Sequence, residues 1–461
     1  MSGLFGLLSV TSRALEAQSY GLNTVSQNVA NVNTPGYSRR DVELAASAPA
    51  DPLSAGTGVD VIGVQAEHDT LLDQRLWQEQ PSEQQQSALA DSLGVVQVAI
   101  GTPGSSLDSN LSAFFNAFST LSQDPVSASN RQQVVLQGQA LASAFNQISS
   151  RLTAAQQDAD HNVKTDVTSV NALATQIANL NTAIAQAGGG TTSSGQTLQD
   201  AQRQLVNQLT QLLPATVVTR SDGGLDLSVA TGHALVIGGS AYALTTTPQA
   251  GTGLLAISAA DGTDVTSGIA SGHIGGLLQV RDQNIPKYLS QLDGLAYAVV
   301  QQVNTLHAAG YDLNGATGQN FFTALGASAG AASAMAVDPA VAADPTKVAA
   351  ASIATSGDNQ NATAIAALAS KKVMSGNSAT FNDAWAGLVY AVGQDTQTAQ
   401  NQQQAHTSVV QQIQTLQDSV SGVSLDEEAM SMTKFQRAYQ ANAQLFSLVN
   451  STLNSLLQMV G

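Results

Sequence analysis

The chain has no cysteine in 461 residues. That excludes disulfide staples, thiolate zinc sites and cysteine nucleophiles together. Charge is scarce as well: Asp, Glu, Lys and Arg make up 11%, less than half the usual ~25%. Ala, Ser, Thr, Gln and Asn fill the gap. Such a surface is polar but sparsely charged, so many copies can pack side by side with little repulsion or desolvation. The charge that remains leans acidic, 33 carboxylates against 16 Lys and Arg for a net −17, which argues against nucleic acid or an anionic membrane as partner. No run of 18 apolar residues exists, so no membrane span is expected. The opening MSGLFGLLSV has no Lys or Arg ahead of Arg13 and does not read as a secretory signal. An extracellular protein of this kind needs another export route.

Apolar residues are 43% of the chain, enough for packed cores, and the length suggests about two to four domains. The two ends carry the same periodic signal. Leu4, Thr11, Gln18, Val25 and Val32 form one row at seven-residue spacing; Leu8, Leu15, Leu22 and Val29 form a second, offset by four. At the other end Met432, Tyr439, Phe446, Leu453 and Val460 form one row, and Phe435, Asn442, Val449 and Leu456 the other. Apolar rows at this spacing are a coiled-coil seam. Both seams run about 44 Å as helix. Equal length and matched period predict that the ends pair antiparallel within one subunit. The plainer reading, two amphipathic helices lying on a globular core, fits less well, because globular helices usually run about 8–20 residues. An exposed helix pair is marginal in water, so the ends are expected to be loosely ordered until they pack with other copies.

The first seam stops at NVANVNTPGY. Pro35 cannot continue a helix, and Pro35-Gly36 suits the centre of a type II turn with Gly36 at positive φ. Beyond it, Val42 and Leu44 alternate with polar residues as a short strand or extended link.

The run ALEAQSYGLNTVSQNVANVNTPGYSRRDVEL (14–44), with Asn28, Asn31, Asn33 and Thr34-Pro35-Gly36-Tyr37, resembles the N-terminal signature shared by bacterial flagellar rod, hook and hook-associated proteins. Residues 111–146, 271–322 and 420–457 resemble the hook-associated protein 1 (FlgK) family within that group, in matching order along the chain. The likeness is weakest in 187–270 and 323–376, and Ser431-Met432-Thr433-Lys434 replaces a more aliphatic stretch usual in the family. The resemblance implies a structural, non-enzymatic, extracellular subunit of the hook–filament junction. It implies export by the flagellar type III apparatus without a cleaved signal peptide. Its partners would be copies of itself, the hook protein, the next hook-associated protein on the filament side, and a cytosolic FlgN-like chaperone covering the C-terminal helix. The motif residues above and both pairs of heptad rows are the candidate assembly residues. A hook or distal rod subunit is the alternative within the class; a secreted adhesin or hydrolase carried on an outer domain is the alternative outside it.

Between the ends, residues 69–100, 106–123, 129–186 and 198–213 read as helices, with Ser127 or Ser129 as a cap and GGGTTSSG (188–195) as a flexible link. From Leu213-Pro214 short apolar runs between Gly-rich turns read as strands. Helix returns over about 277–309 and 379–419, and 311–376 reads as mixed, with Met335–Val337 a strand candidate. The expected fold is mainly α with a β-rich insert, elongated and multidomain. It has a terminal coiled coil (1–36 with 425–461), a helical body (37–213, 277–309 and 377–424) and an outer β-rich domain (214–276 and 310–376).

Sites for chemistry are weak. GASAG (326–330) matches the Gly-x-Ser-x-Gly elbow around Ser328 but lacks the apolar strand before it. GTGLLA (251–256) matches Gly-x-Gly-x-x-Ala and reads as a turn. His68, His161, His233, His273, His307 and His406 are scattered with no i+4 pair, and read as surface or capping residues. Asp426-Glu427-Glu428 reads as the charged start of a helix. No cofactor or metal is expected.

Overall fold

The computed structural model describes residues 2–48, 57–101, 107–355 and 357–460. The chain opens with α1 (Ser2–Ala30) and a hairpin of β1 (Arg40–Ala46) and β2 (Val59–Ala66). Then come α2 (Thr70–Ile100), α3 (Leu107–Gln123), α4 (Ala128–Gln186) and α5 (Ser193–Leu212). Six short strands follow: β3 (Ala215–Thr219), β4 (Leu225–Val229), β5 (His233–Ile237), β6 (Ser240–Ala241), β7 (Thr245–Pro248) and β8 (Leu255–Ser258). The remaining regular elements are mainly helices: α6 (Gly272–Gln279), α7 (Ile285–Ala309), α8 (Ala331–Ala334), α9 (Pro339–Ala343), α10 (Gln360–Ala367), α11 (Phe381–Ser421) and α12 (Leu425–Val460). The fold is mainly α with small sheets.

The helix α4 is the spine, 59 residues long, or about 88 Å. Its start is fixed by Ser127, whose hydroxyl accepts from Asn130 N at 3.3 Å. One core lies along its first half. There Phe114, Phe115 and Phe118 of α3 meet Phe145 of α4, Tyr288 and Leu292 of α7, and Trp385 of α11. A second core lies along its other half, where Val163, Val170 and Ile177 meet α5, the strands and α6. The sheet order β3-β4-β5-β6 is antiparallel throughout, and β7-β8 is a separate hairpin. GTGLLA lies on that hairpin's turn, where Gly253 N donates to Gln249 O at 3.1 Å.

Several expectations need correcting. Residues 310–376 are not β-rich. Among the described residues they hold short helices and isolated bridges, and their Phe321, Phe322, Val341 and Val348 are buried in the first core with the helices. The Phe321-Phe322 pair decides this: its rings lie 5.4 and 5.5 Å from that of Phe114. Met335–Val337 forms only one bridge, between Val337 and Phe322. GGGTTSSG is a 3-10 turn running straight into α5, whose Thr192 cap accepts from Gly195 N at 3.0 Å. Helix resumes at Gly272, and a π-helical stretch, Val280–Asn284, joins α6 to α7. Arg281 in that stretch is 1% exposed, bonded to Asp160 at 2.6 Å, Asp282 at 2.7 Å and Leu255 O at 2.8 Å. It thereby ties the strands to the spine. His307 is no surface residue. It is fully buried, Nδ1 lies 2.6 Å from Gln319 O, and Nε2 accepts from Ala349 N at 2.9 Å.

The chain returns along its own path. In α2 and α11, Asp73 bonds Gln417 at 2.7 Å and Ser87 bonds Gln403 at 3.0 Å, an antiparallel register.

Candidate assembly site

The terminal helices pair in the same sense. Asn28 of α1 meets Glu428 of α12, and Gly21 meets Phe435, so seven residues back on one helix is seven forward on the other. At Gly21 the two chains are so close that a Cβ would lie 2.5 Å from the Phe435 ring. Glycine is what lets the aromatic ring seat against the α1 backbone.

Of the first row, Thr11 and Val25 are buried and Leu4, Gln18 and Val32 half-buried. Leu8, Leu15, Leu22 and Val29 are all half-buried, while Gly21 and Asn28, each one residue earlier, are covered. A straight helix drifts from the seven-residue repeat, and small residues occupy the closest approach. On α12, Val449 and Leu453 are buried, and Met432, Phe435, Asn442, Phe446 and Leu456 half-buried. Tyr439 is 41% exposed. The Val460 side chain lies outside the described residues.

The break after α1 is a knot of polar bonds. Asn31 caps the helix end, its amide donating to Gln27 O at 2.9 Å and its oxygen accepting from Thr34 Oγ1 at 3.1 Å. The chain then turns through Thr34-Pro35-Gly36-Tyr37, with Tyr37 N bonded to Thr34 O at 3.2 Å and Gly36 at φ +75°. Gln204 donates to Pro35 O. Asn33 is exposed.

Asn28 is the hub. Its amide donates to Arg40 O at 2.8 Å and to Glu428 Oε2 at 3.0 Å. Its oxygen accepts from Tyr37 Oη at 2.9 Å and Arg40 N at 3.0 Å. All of its bonding capacity is therefore spent on locking α1, the turn, β1 and α12 together. Glu428 is 1% exposed and also pairs with Arg39 Nε at 2.9 Å. It does sit in the first turn of α12, but its role is this buried pairing rather than a solvated helix start. Burial opposes the Arg39 charge, yet the bond to Glu428 and the carboxylates around it hold its pKa above the usual value. Burial raises the Tyr37 pKa, with Arg40 acting against it and Asp200 and Glu428 adding to it. A second set of bonds ties this knot to the body. Arg40 donates to Thr197 at 2.7 Å and Ser193 at 3.1 Å on α5, and Ser38 donates to Asp200 at 3.0 Å. Arg203 also pairs with Asp200.

Sequence reasoning missed Gly21, Arg39, Arg40, Asp200 and Glu428 as parts of the site. The hairpin β1-β2 was half-seen: Val42 and Leu44 marked its first strand, while the second was passed over although Val59 and Val61, then Val64 and Ala66, alternate as well. Elsewhere, Ser328 sits in a turn where its carbonyl accepts from Ala331 N at 3.0 Å, ahead of a four-residue helix. No group of three or more His, Asp or Glu with metal-binding spacing occurs among the described residues. His273 lies 2.6 Å from Asp166, a bond that holds its pKa above the usual value.

Comparison with known proteins gives three family matches. The FlgK helical domain of flagellar hook-associated protein matches residues 93–322, the flagella basal body rod protein model 8–37, and the C-terminal model of flagellar basal body rod FlgEFG proteins 417–459. Flagellar hook-associated protein 1 of Escherichia coli K12 is 28% identical, over 98% of this chain and 99% of its own. That of Bacillus subtilis 168 is 29% identical, over 100% and 99%. The structure of the flagellar hook junction protein FlgK from Burkholderia pseudomallei superposes with a TM-score of 0.66 at 18% identity, over 75% of this chain and all of that one.

Proposed function

The chain belongs to the flagellar hook-associated protein 1 (FlgK) family, a structural component of the flagellum, and on that premise we propose that it forms the junction between hook and filament by assembling through α1 and α12. The observation that carries this is the outer surface of the terminal pair. Phe5, Tyr20, Met430, Leu445 and Leu448 are 57%, 46%, 66%, 50% and 62% exposed. Residues 438–460 contain no Asp, Glu, Lys or Arg. A monomer that leaves so much apolar, uncharged helix open marks an interaction surface. Each such side chain gains about 1.5–3 kcal/mol on full burial.

In this reading the candidate seam residues act twice. Thr11, Val25, Val449 and Leu453 close the pair within one subunit, and the open faces meet neighbours. Contacts between unlike surfaces give open helical arrays, with the hook protein on one side and the next hook-associated protein on the other. Export by the flagellar type III route and a FlgN-like chaperone over α12 belong to the same proposal. They are supported by the exposed Met430, Leu445 and Leu448, which need cover before assembly. The test is the double variant Phe446→Asp with Leu453→Asp. The middle domains should stay folded by circular dichroism while addition to hooks is lost; normal junctions and filaments from that variant would refute the assignment of α12.

A further inference from the structure

The hairpin after α1 leaves a groove of about 510 Å³ between α1 and β2, lined by Glu16 and Tyr20 on one wall and Val59–Val64 on the other. Its floor carries an irregularity. Glu43 pairs with Gly63 but Leu44 with Val61, so Ile62 is an extra residue in β2, and its side chain stands 61% exposed. A bulge on an edge strand re-aims a side chain and stops ordinary strand pairing. The carbonyl of Val64 is already taken by Gln196. This edge is therefore built for a side-chain contact rather than for an added strand. Arg13 and Asp60 pair at one end at 2.9 Å and cancel each other's charge. Glu16 has no ion-pair partner among the described residues, which leaves the groove negative.

The outer face of α12 has the complementary character. Met430, Lys434, Arg437, Ala441, Leu445 and Leu448 recur at three- and four-residue steps on its exposed side. Lys434 and Arg437 are the only cations of that helix, and neither has an ion pair among the described residues. From Lys434 to Leu448 is about 21 Å of helix. Six residues of β2 span about 20 Å. Within one chain Lys434 and Arg437 form no pair with Glu16, because α12 meets α1 through its other side.

We propose that the α1–β2 groove of one copy receives the outer face of α12 from a second copy, with Lys434 and Arg437 against Glu16, and Leu445 and Leu448 against Tyr20 and Ile62. Groove and ridge are different surfaces, so the contact is heterologous and repeats from copy to copy. The inference rests on the assembly reading above and names its complementary faces.

Because the chain has no cysteine, paired thiols can be introduced cleanly. Glu16→Cys with Arg437→Cys, added to isolated hooks and treated with a short bis-maleimide, should give a ladder beyond the dimer in the hook-bound fraction. The free monomer should give none. A bound layer with no ladder would overturn the groove while leaving junction assembly intact. Failure of even the unaltered chain to add to hooks would remove the assembly reading itself. A charge exchange gives the second measure. Glu16→Lys alone, and Lys434→Glu with Arg437→Glu, should each cut hook addition about tenfold or more, and an equimolar mixture of the two variants should restore it. No loss in either variant, or no restoration on mixing, counts against the pairing.

Discussion

Asn28 donates its side-chain amide to Glu428 across 400 residues of sequence, joining the first helix to the last at 3.0 Å. This bond sets the register of the terminal pair, since every other contact of Asn28 is to the turn and strand that follow α1.

Glu428→Ala should therefore loosen both ends together. It takes one of two acceptors from the Asn28 amide and leaves the Arg39 guanidinium with only the more distant Glu427 at 3.4 Å, a loss of about 2–3 kcal/mol for bonds to a buried carboxylate. Hydrogen exchange should speed up across 2–30 and 425–456, with the amides of α4 unchanged. Uniform protection in the variant would mean the register is held elsewhere.

Gly21→Leu should unseat Phe435, since even a Cβ meets that ring at 2.5 Å. Overpacking of this kind costs about 1–3 kcal/mol. The expected result is loss of hook addition with an unaltered melt of the body. A concurrent Phe435→Ala change should recover part of the loss, and absence of any recovery would argue against this close approach.

Arg281→Met should detach the strands from the spine. The guanidinium joins Asp160, Asp282 and Leu255 O within 2.8 Å, and stripping a buried ion pair of one member costs about 3–5 kcal/mol. Amides of 245–258 should lose protection first. If they keep it while the α7 amides open, the joint works in the other direction.

His307 gives the chain an acid-sensitive core. Burial lowers its pKa from 6.5 to about 4, with Gln319 O, Asp312 and Asp338 pulling upward and Arg131 downward. The unfolded imidazole protonates as pH falls below about 6.5, while the folded one stays neutral until about 4. Stability is thus full above 6.5 and falls through that window, by roughly 3 kcal/mol. His273, whose pKa Asp166 raises, acts with the opposite sign: its contribution is present below the unfolded pKa and lost as pH rises through the folded one. Urea melts from pH 7.5 to 4 should show a smaller fall for His307→Gln than for the parent chain. Equal slopes would remove His307 from the account.

The long helices were legible because their apolar periodicity and caps are local: Ser127 and the Asp124-Pro125 stop mark α3 and α4 within a residue or two. The antiparallel pairing of the ends was legible from two seams of equal length. Residues 310–376 were not. Their composition is Ala- and Ser-rich, and it is the burial of Phe321 and Phe322 against α3, with Val341, Val348 and Ile365 in the same core, that assigns them to the helical body. The polar knot was also hidden, because Asn28 and Glu428 each look like ordinary helix surface until the chain brings them together. Gly21 carried a faint signal, a helix-interior glycine beside a seam, which is unfavourable unless something must come close.

The most direct measurement is to add the purified chain to isolated hooks and image them by electron microscopy. The account predicts a short layer of density confined to the distal tip, and none with the Phe446→Asp, Leu453→Asp variant. Long tubes, or decoration along the hook's length, would contradict it and point to a hook-type or filament-type subunit.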